Sequence, residues 1–136
     1  MKIKNLLKPT KQQIQYRNRL WAEALLENKK KARNAMRNKH GGRCCLQVAE
    51  DVAISCGLDI KRSLADDEQP TEDVATFFGW NSTDPDINIP NGEVVTASGL
   101  NDNVGERCVG VSHAKIAECV LNTFVHPSKK KWTFKL

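Results

Sequence analysis

Apolar residues recur every three or four positions in three stretches of this chain, and each stretch predicts a helix. The first holds Ile14, Leu20, Trp21, Ala24 and Leu25. Thr10, followed three residues later by Gln13 and preceded by Pro9, makes a capping-box pattern, so this helix is expected to begin near residue 11. The stripe fails at Asn28, a residue type that tolerates a left-handed backbone, and a break or bend is expected there. Ala32, Ala35 and Met36 make a weaker second stretch, closed by His40, Gly41 and Gly42. The most regular stripe is Cys45, Val48, Ala49, Val52, Ala53 and Cys56, with Gln47, Glu50 and Asp51 on its polar side and Gly57 ending it. The last is Ile116, Cys119, Val120 and Phe124, which Ser112 can cap and Pro127 follows.

Between these stretches the pattern shortens. Thr71, Glu72 and Asp73 open a short helix that buries Val74, Phe77 and Phe78 and stops at Gly79, its acids complementing the amino-terminal dipole. Residues 59–70 are polar and acidic and read as loop. Pro85, Pro90, Asn91-Gly92 and Gly99 punctuate the chain from Asn81 to Asn103, and Ile87, Ile89, Val94 and Val95 flank the Asn-Gly pair as in a small hairpin, with Pro90 beside the turn arguing against one. The expected fold is mainly α: one compact helical bundle of about four helices, with a long irregular loop or small β-hairpin between residues 81 and 111. A length of 136 residues suffices for a core without staples.

Composition adds an uneven charge distribution. Residues 1–43 hold thirteen Lys or Arg against Glu23 and Glu27, a net +11. Residues 44–126 hold four bases against fourteen acids, a net −10, and the tail 127–136 adds four lysines. One domain, 1–136, is thus divided into a basic amino-terminal region, an acidic helical core and a basic tail. Such blocks speak to partners and not to fold. No apolar run approaches a membrane span, and the first residues lack a signal-peptide apolar stretch, so a cytoplasmic, non-secreted protein is expected. Five cysteines, an odd number with Cys44 and Cys45 adjacent, favour reduced thiols.

Candidate chemistry is sparse. His40, Cys44 and Cys45 lie close together, yet the chain has no CxxC, CxxH or HxxxH spacing of a structural zinc site, and Cys45, Cys56 and Cys119 fall on apolar stripes where a thiol acts as a small hydrophobe. No metal or other cofactor is expected. Cys44, beside Arg43 at a helix amino terminus, has surroundings that lower a thiol pKa, but the spacing singles out none of His40, His113 and His126 as its base. Asp66, Asp67, Asp84 and Asp86 sit in acidic loops and read as solvated. No phosphate-binding glycine motif occurs. What remains is the basic region: Lys29, Lys30, Lys31, Arg33, Arg37, Lys39 and Arg43 make a stripe for an acidic protein partner or for nucleic acid, with Trp21 or Trp132 available to stack on bases, or else neutralise the acidic core within the molecule.

The strings NRLWAEALLENKKK, RCCLQVAEDVA, TEDVATFFGW, GLNDN and SHAKIAECV follow one another over most of residues 18–121. In that order they resemble a family of small bacteriophage and prophage proteins that share a CCLGV-type motif and a Leu-Asn-Asp segment. Gln47 replaces the motif glycine, Asn28 the glycine of the bend, and His113 an aromatic residue, while residues 106–111 look like an insertion. The resemblance implies phage origin and brings no catalytic residues with it. Asn101 and Asp102 belong to its Leu-Asn-Asp segment; they are expected to fix a turn against the final helix, with ligand binding as the other role.

Together these readings predict a phage accessory protein that binds rather than catalyses, in the host cytoplasm, against a host or phage macromolecule such as a defence or metabolic protein it would inhibit. A nucleic-acid-binding module is one alternative. Sequestration of a nucleotide or other small anionic ligand is another.

Overall fold

The computed structural model describes residues 6–27, 44–60, 70–89, 92–102 and 112–125, with Asn101 and Asp102 described by their backbone alone. The chain is mainly helical, with one small two-stranded antiparallel sheet. Helix α1, Lys11–Glu27, opens on the expected capping box: Gln13 Oε1 accepts from the Thr10 N–H at 2.8 Å, and Thr10 Oγ1 accepts from the Gln13 N–H at 3.2 Å. Asn28 and the stretch around Ala32, Ala35 and Met36 lie outside the described residues.

Helix α2, Cys45–Ser55, and helix α3, Glu72–Phe78, end in the same way. In α2, Gly57 takes a φ of 110°, its N–H reaches the Ile54 carbonyl, and the Leu58 N–H reaches that of Ala53. In α3, Gly79 takes a φ of 73°, with the Gly79 and Trp80 N–H groups on the Thr76 and Ala75 carbonyls. Both are Schellman closures, in which the left-handed position selects glycine and the residue after it turns back to pack. Leu58 and Trp80, the residues that turn back, are buried. Thr71 precedes α3 as predicted, but its side chain makes no capping hydrogen bond.

The acidic loop segment 61–69 lies outside the described residues. Strands β1, Asp86–Asn88, and β2, Val94–Thr96, pair antiparallel with Ile87 opposite Val95. The Gly92 N–H bonds the Ile89 carbonyl and the Ile89 N–H bonds that of Glu93, so a hairpin forms despite Pro90. Part of the segment that read as irregular is helical: α4 spans Ala97–Asp102 directly after β2, and residues 103–111 lie outside the described residues. Thr96 Oγ1 accepts from the Gly99 N–H, and the Asp84 carboxylate accepts from the Ser98 N–H at 2.9 Å and the Ser98 hydroxyl at 2.5 Å. Asp84, expected to be a solvated loop residue, is half-buried and holds the start of this helix; Asp86 is exposed as expected.

Helix α5, His113–Val120, begins with Ser112 Oγ accepting from the Lys115 N–H at 3.2 Å and widens into a π-helical turn, Leu121–Val125. Thr123 fits this widening. Its hydroxyl donates to the Cys119 carbonyl at 2.7 Å and accepts from the Asn88 N–H at 2.9 Å, tying the edge of β1 to the end of the helix.

Helix α1 lies at the centre, packed against α5 and its π turn, α2 and α3. Trp21, fully buried, meets Trp80 at 4.9 Å and Phe78 at 5.9 Å between ring centroids; Phe78 and Trp80 stack at 4.8 Å, and Phe77 meets Phe78 edge-on. Ile87, Ile89, Leu100, Ile116 and Val120 extend one continuous core from this aromatic group. No helix among the described residues is long and apolar enough to cross a membrane.

Candidate functional site

The basic residues singled out by sequence, Lys29, Lys30, Lys31, Arg33, Arg37, Lys39 and Arg43, lie outside the described residues, as do His40, Lys129, Lys130, Lys131 and Trp132. Their two points of attachment are described. The segment leaves the last turn of α1, whose Leu25 is buried, and rejoins the fold at Cys44, the buried N-cap of α2. Both ends are therefore fixed by core residues. The outer face of α1 leading to that exit carries Tyr16, Arg19, Glu23 and Leu26, all exposed.

Trp21 is withdrawn from the list of base-stacking candidates. It has no exposed surface, and its indole N–H is spent on the Cys45 carbonyl at 2.9 Å. Helical spacing placed it on the buried face of α1, and that reading prevails. Asn101 and Asp102 form the last two backbone positions of α4, and the loop they were expected to hold lies outside the described residues.

The polar groups that the core encloses are mostly engaged in holding elements together. Arg17, 1% exposed, donates through Nη1 to the carbonyls of Leu6 at 3.0 Å and Phe77 at 2.9 Å, and its guanidinium lies 4.3 Å from the centre of the Phe77 ring. Burial holds its pKa below the usual arginine value, which the nearby Cys56 thiolate would partly restore. Asn18 donates through Nδ2 to the Ile14 and Phe78 carbonyls and accepts from Trp80 Nε1 at 3.0 Å. Its neighbour's bond and its own thus engage the last two carbonyls of α3, which the Schellman closure leaves over. Neither polar residue was legible as core, because arginine and asparagine on an otherwise apolar stripe read as interruptions.

The thiols divide by position. Cys44, Cys45 and Cys119 are buried and Cys56 is half-buried, and none of these is in a disulfide. Cys45 donates to the Ala97 carbonyl at 3.4 Å, which ties α2 to α4. Cys44 Sγ accepts from the Gln47 N–H at 3.3 Å, so this thiol serves as the cap of α2. Cys56, expected to be buried, is the half-buried C-cap of α2. Burial raises its pKa, with a hydrogen bond to Ser55 and the charge of Arg17 acting the other way. Of the histidines weighed as a base for Cys44, His113 is buried in the first turn of α5. His40 and His126 are not among the described residues. No group of three or more His, Cys, Asp or Glu among the described residues is arranged to hold a metal ion.

The polar side of α2 departs most from expectation. Gln47 and Glu50 are 0% exposed, and Asp51 is half-buried, although all three lie on the polar side of the stripe. Gln47 Nε2 reaches Glu50 Oε1 and Asp51 Oδ1, both at 3.4 Å, and Gln47 Oε1 is buried without a hydrogen-bond partner. Helix α2 is therefore buried all round over its first six residues, and only Asp51, Ile54 and Ser55 reach the surface. Compared with known proteins, the chain matches no family model, no curated protein and no solved structure.

Proposed function

We propose that this chain is a non-enzymatic bacteriophage accessory protein that acts in the host cytoplasm by binding another protein, of the host or of the phage, and inhibits a host defence or metabolic protein by doing so. The observation that carries the reading is the charge division, +11 over residues 1–43 against −10 over residues 44–126. Surface fields of one sign steer association and set the register of partners. The basic segment Lys29 to Arg43 starts and ends at buried anchors, Leu25 and Cys44, so a partner held by its lysines would be held relative to a packed core. Support also comes from the interior, where Arg17, Asn18, Trp21, Cys45 and Trp80 are hydrogen-bonded to neighbouring elements.

The test is reversal of Lys29, Lys30, Lys31 and Arg33 to Glu in the full chain, followed by capture of partners from infected cells. A partner retained by the parent and lost by a variant of unchanged melting temperature supports the reading. A variant that binds the same partner with equal affinity refutes it. If instead the parent binds DNA or RNA with an affinity that falls steeply with salt, and the reversed variant does not, the partner is nucleic acid and the protein-binding reading fails. Nucleotide released from the purified parent by heating would point to the third reading, capture of a small anion.

A further inference from the structure

We propose that the exposed face of α1 is a docking surface for a second copy of this chain, the two α1 helices lying antiparallel about a two-fold axis at the level of Trp21. That face is a single stripe. Tyr16, Arg19, Glu23 and Leu26 are all exposed, and their spacings of three, four and three residues keep them on one side of the helix. The other side of α1 carries the buried Arg17, Asn18, Trp21 and Leu25 and packs on α5, α2 and α3.

The stripe matches itself when reversed. From either end it runs apolar, charged, charged, apolar, and its two charges are opposite in sign. Laid antiparallel and centred on residue 21, it sets Tyr16 against Leu26 of the second copy and Arg19 against that copy's Glu23. Two-fold symmetry makes each pairing occur twice. Parallel helices would instead set Arg19 on Arg19 and Glu23 on Glu23. Sliding the antiparallel pair by four residues either way brings one of those like-charge contacts to its centre. Like charges across an interface are strongly unfavourable, so among these arrangements the one centred on residue 21 is selected.

Exposure supports the same surface. Tyr16 is 57% exposed and Leu26 51%, while the other large apolar side chains exposed among the described residues, Leu7 and Val94, stand before α1 and on β2. One exposed apolar residue is ordinary, whereas two on one stripe, flanking a pair of opposite charges, make a short apolar seam with its own electrostatic register. Arg19 also stands amino-terminal to Glu23, the poorer order for an ion pair along one helix, which leaves both charges for a partner. The seam is shorter than a standard interface, so the dimer is reversible and forms at about 10 µM to 1 mM protein. The contact uses no residue of the basic segment, and it is read out without any other partner, so this inference and the proposed function can fail separately.

Sedimentation velocity of the full chain over that concentration range reads the association. The parent is expected to pass from monomer to dimer. Arg19→Glu and Glu23→Arg, each alone, should weaken the dimer by about tenfold or more, because each turns two attractions into two repulsions. The first lowers the net charge by two and the second raises it by two, so a loss common to both is not an effect of net charge. Both positions are exposed, and the melting temperature of the monomer should stay at the parent value. The chain carrying both substitutions should dimerise as the parent does, and an equimolar mixture of the two single variants should associate where neither does alone. A parent that stays monomeric at the top of the range overturns the proposal. So does a dimer that tolerates either reversal, or one that the double exchange fails to restore.

Discussion

Arg17 grips Phe77 twice: Nη1 donates to its carbonyl at 2.9 Å, and the guanidinium lies 4.3 Å from the centre of its ring. A helix end and an aromatic side chain are thus held by one planar cation, sixty residues away in sequence. Lysine has no plane to lay on the ring while its charge reaches the carbonyl. Arg17→Lys is expected to lower stability by about 1–3 kcal/mol, and Arg17→Ala by more, through lost packing of the stem as well. Urea unfolding monitored by tryptophan fluorescence checks this. A shift of the midpoint within error for Arg17→Ala would show that the contact contributes nothing.

Asn18 and Trp80 form the second link between α1 and the end of α3, at 3.0 Å. Replacing Asn18 with Asp substitutes an acceptor for the Nδ2 donor that serves the Ile14 and Phe78 carbonyls. A loss of several kcal/mol is expected, roughly the cost of a buried charge facing lone pairs. Asn18→Ala and Trp80→Phe together should cost less than the sum of the two alone, because each removes the same bond. Full additivity in that cycle would mean that the bond carries no energy.

Gly79 faces Ile14. A Cβ on this glycine would stand 2.5 Å from Ile14 Cδ1, on a backbone with φ of 73°. Gly79→Ala should therefore cost about 1–2 kcal/mol for the left-handed position and more for the clash. In an Ile14→Ala background only the first part should remain. Equal costs in both backgrounds, measured by thermal unfolding, would rule out the steric component.

Val52 lies mid-stripe on α2 with the enclosed Ala49 and Ala53 beside it. Val52→Asp is expected to cost at least about 3 kcal/mol, because the new carboxylate is left without a compensating partner. Circular dichroism melts check the prediction, and a variant melting within a few degrees of the parent would remove α2 from the core.

Cys56 should be the first of the four described thiols to react with a labelling reagent, since Cys44, Cys45 and Cys119 are buried. Its raised pKa keeps it protonated at neutral pH, so its labelling should accelerate as the solution turns alkaline. A pKa raised in the folded state means that the fold holds this proton more tightly than the unfolded chain does. Its contribution to stability is complete below the ordinary thiol range and is lost as pH rises through the folded value. Cys56→Ser should flatten that alkaline loss. An unchanged alkaline slope would assign the loss to other groups.

Much of the fold was readable from spacing and punctuation. The capping box at Thr10 and Gln13, the left-handed glycines Gly57 and Gly79, and the cap at Ser112 are local devices, satisfied within a few residues of themselves. The hairpin was signalled by Asn91-Gly92, but α4 was not. Six residues are too few to display a period, and Ala97–Asp102 is held by Asp84, thirteen residues before its first position. The candidate site was legible as a count of charges and no further, since composition gives the sign of a segment and not what it faces.

Sequence by itself determined the helical class, the boundaries set by local caps, and the basic and acidic blocks, because each of these depends on neighbours in the chain. Tertiary structure alone decided which polar residues lie inside. Arg17 and Asn18 look like breaks in the stripe of α1 until the end of α3 brings two unmet carbonyls against them. Trp21 and Trp80 become one cluster only when α1 and α3 meet. Gln47 and Glu50 read as the polar side of a stripe, and their complete burial is not legible there. A helix whose first turns are buried all round has no exposed side there, and which of its polar groups must then find partners depends on chain folded over it from elsewhere in the sequence.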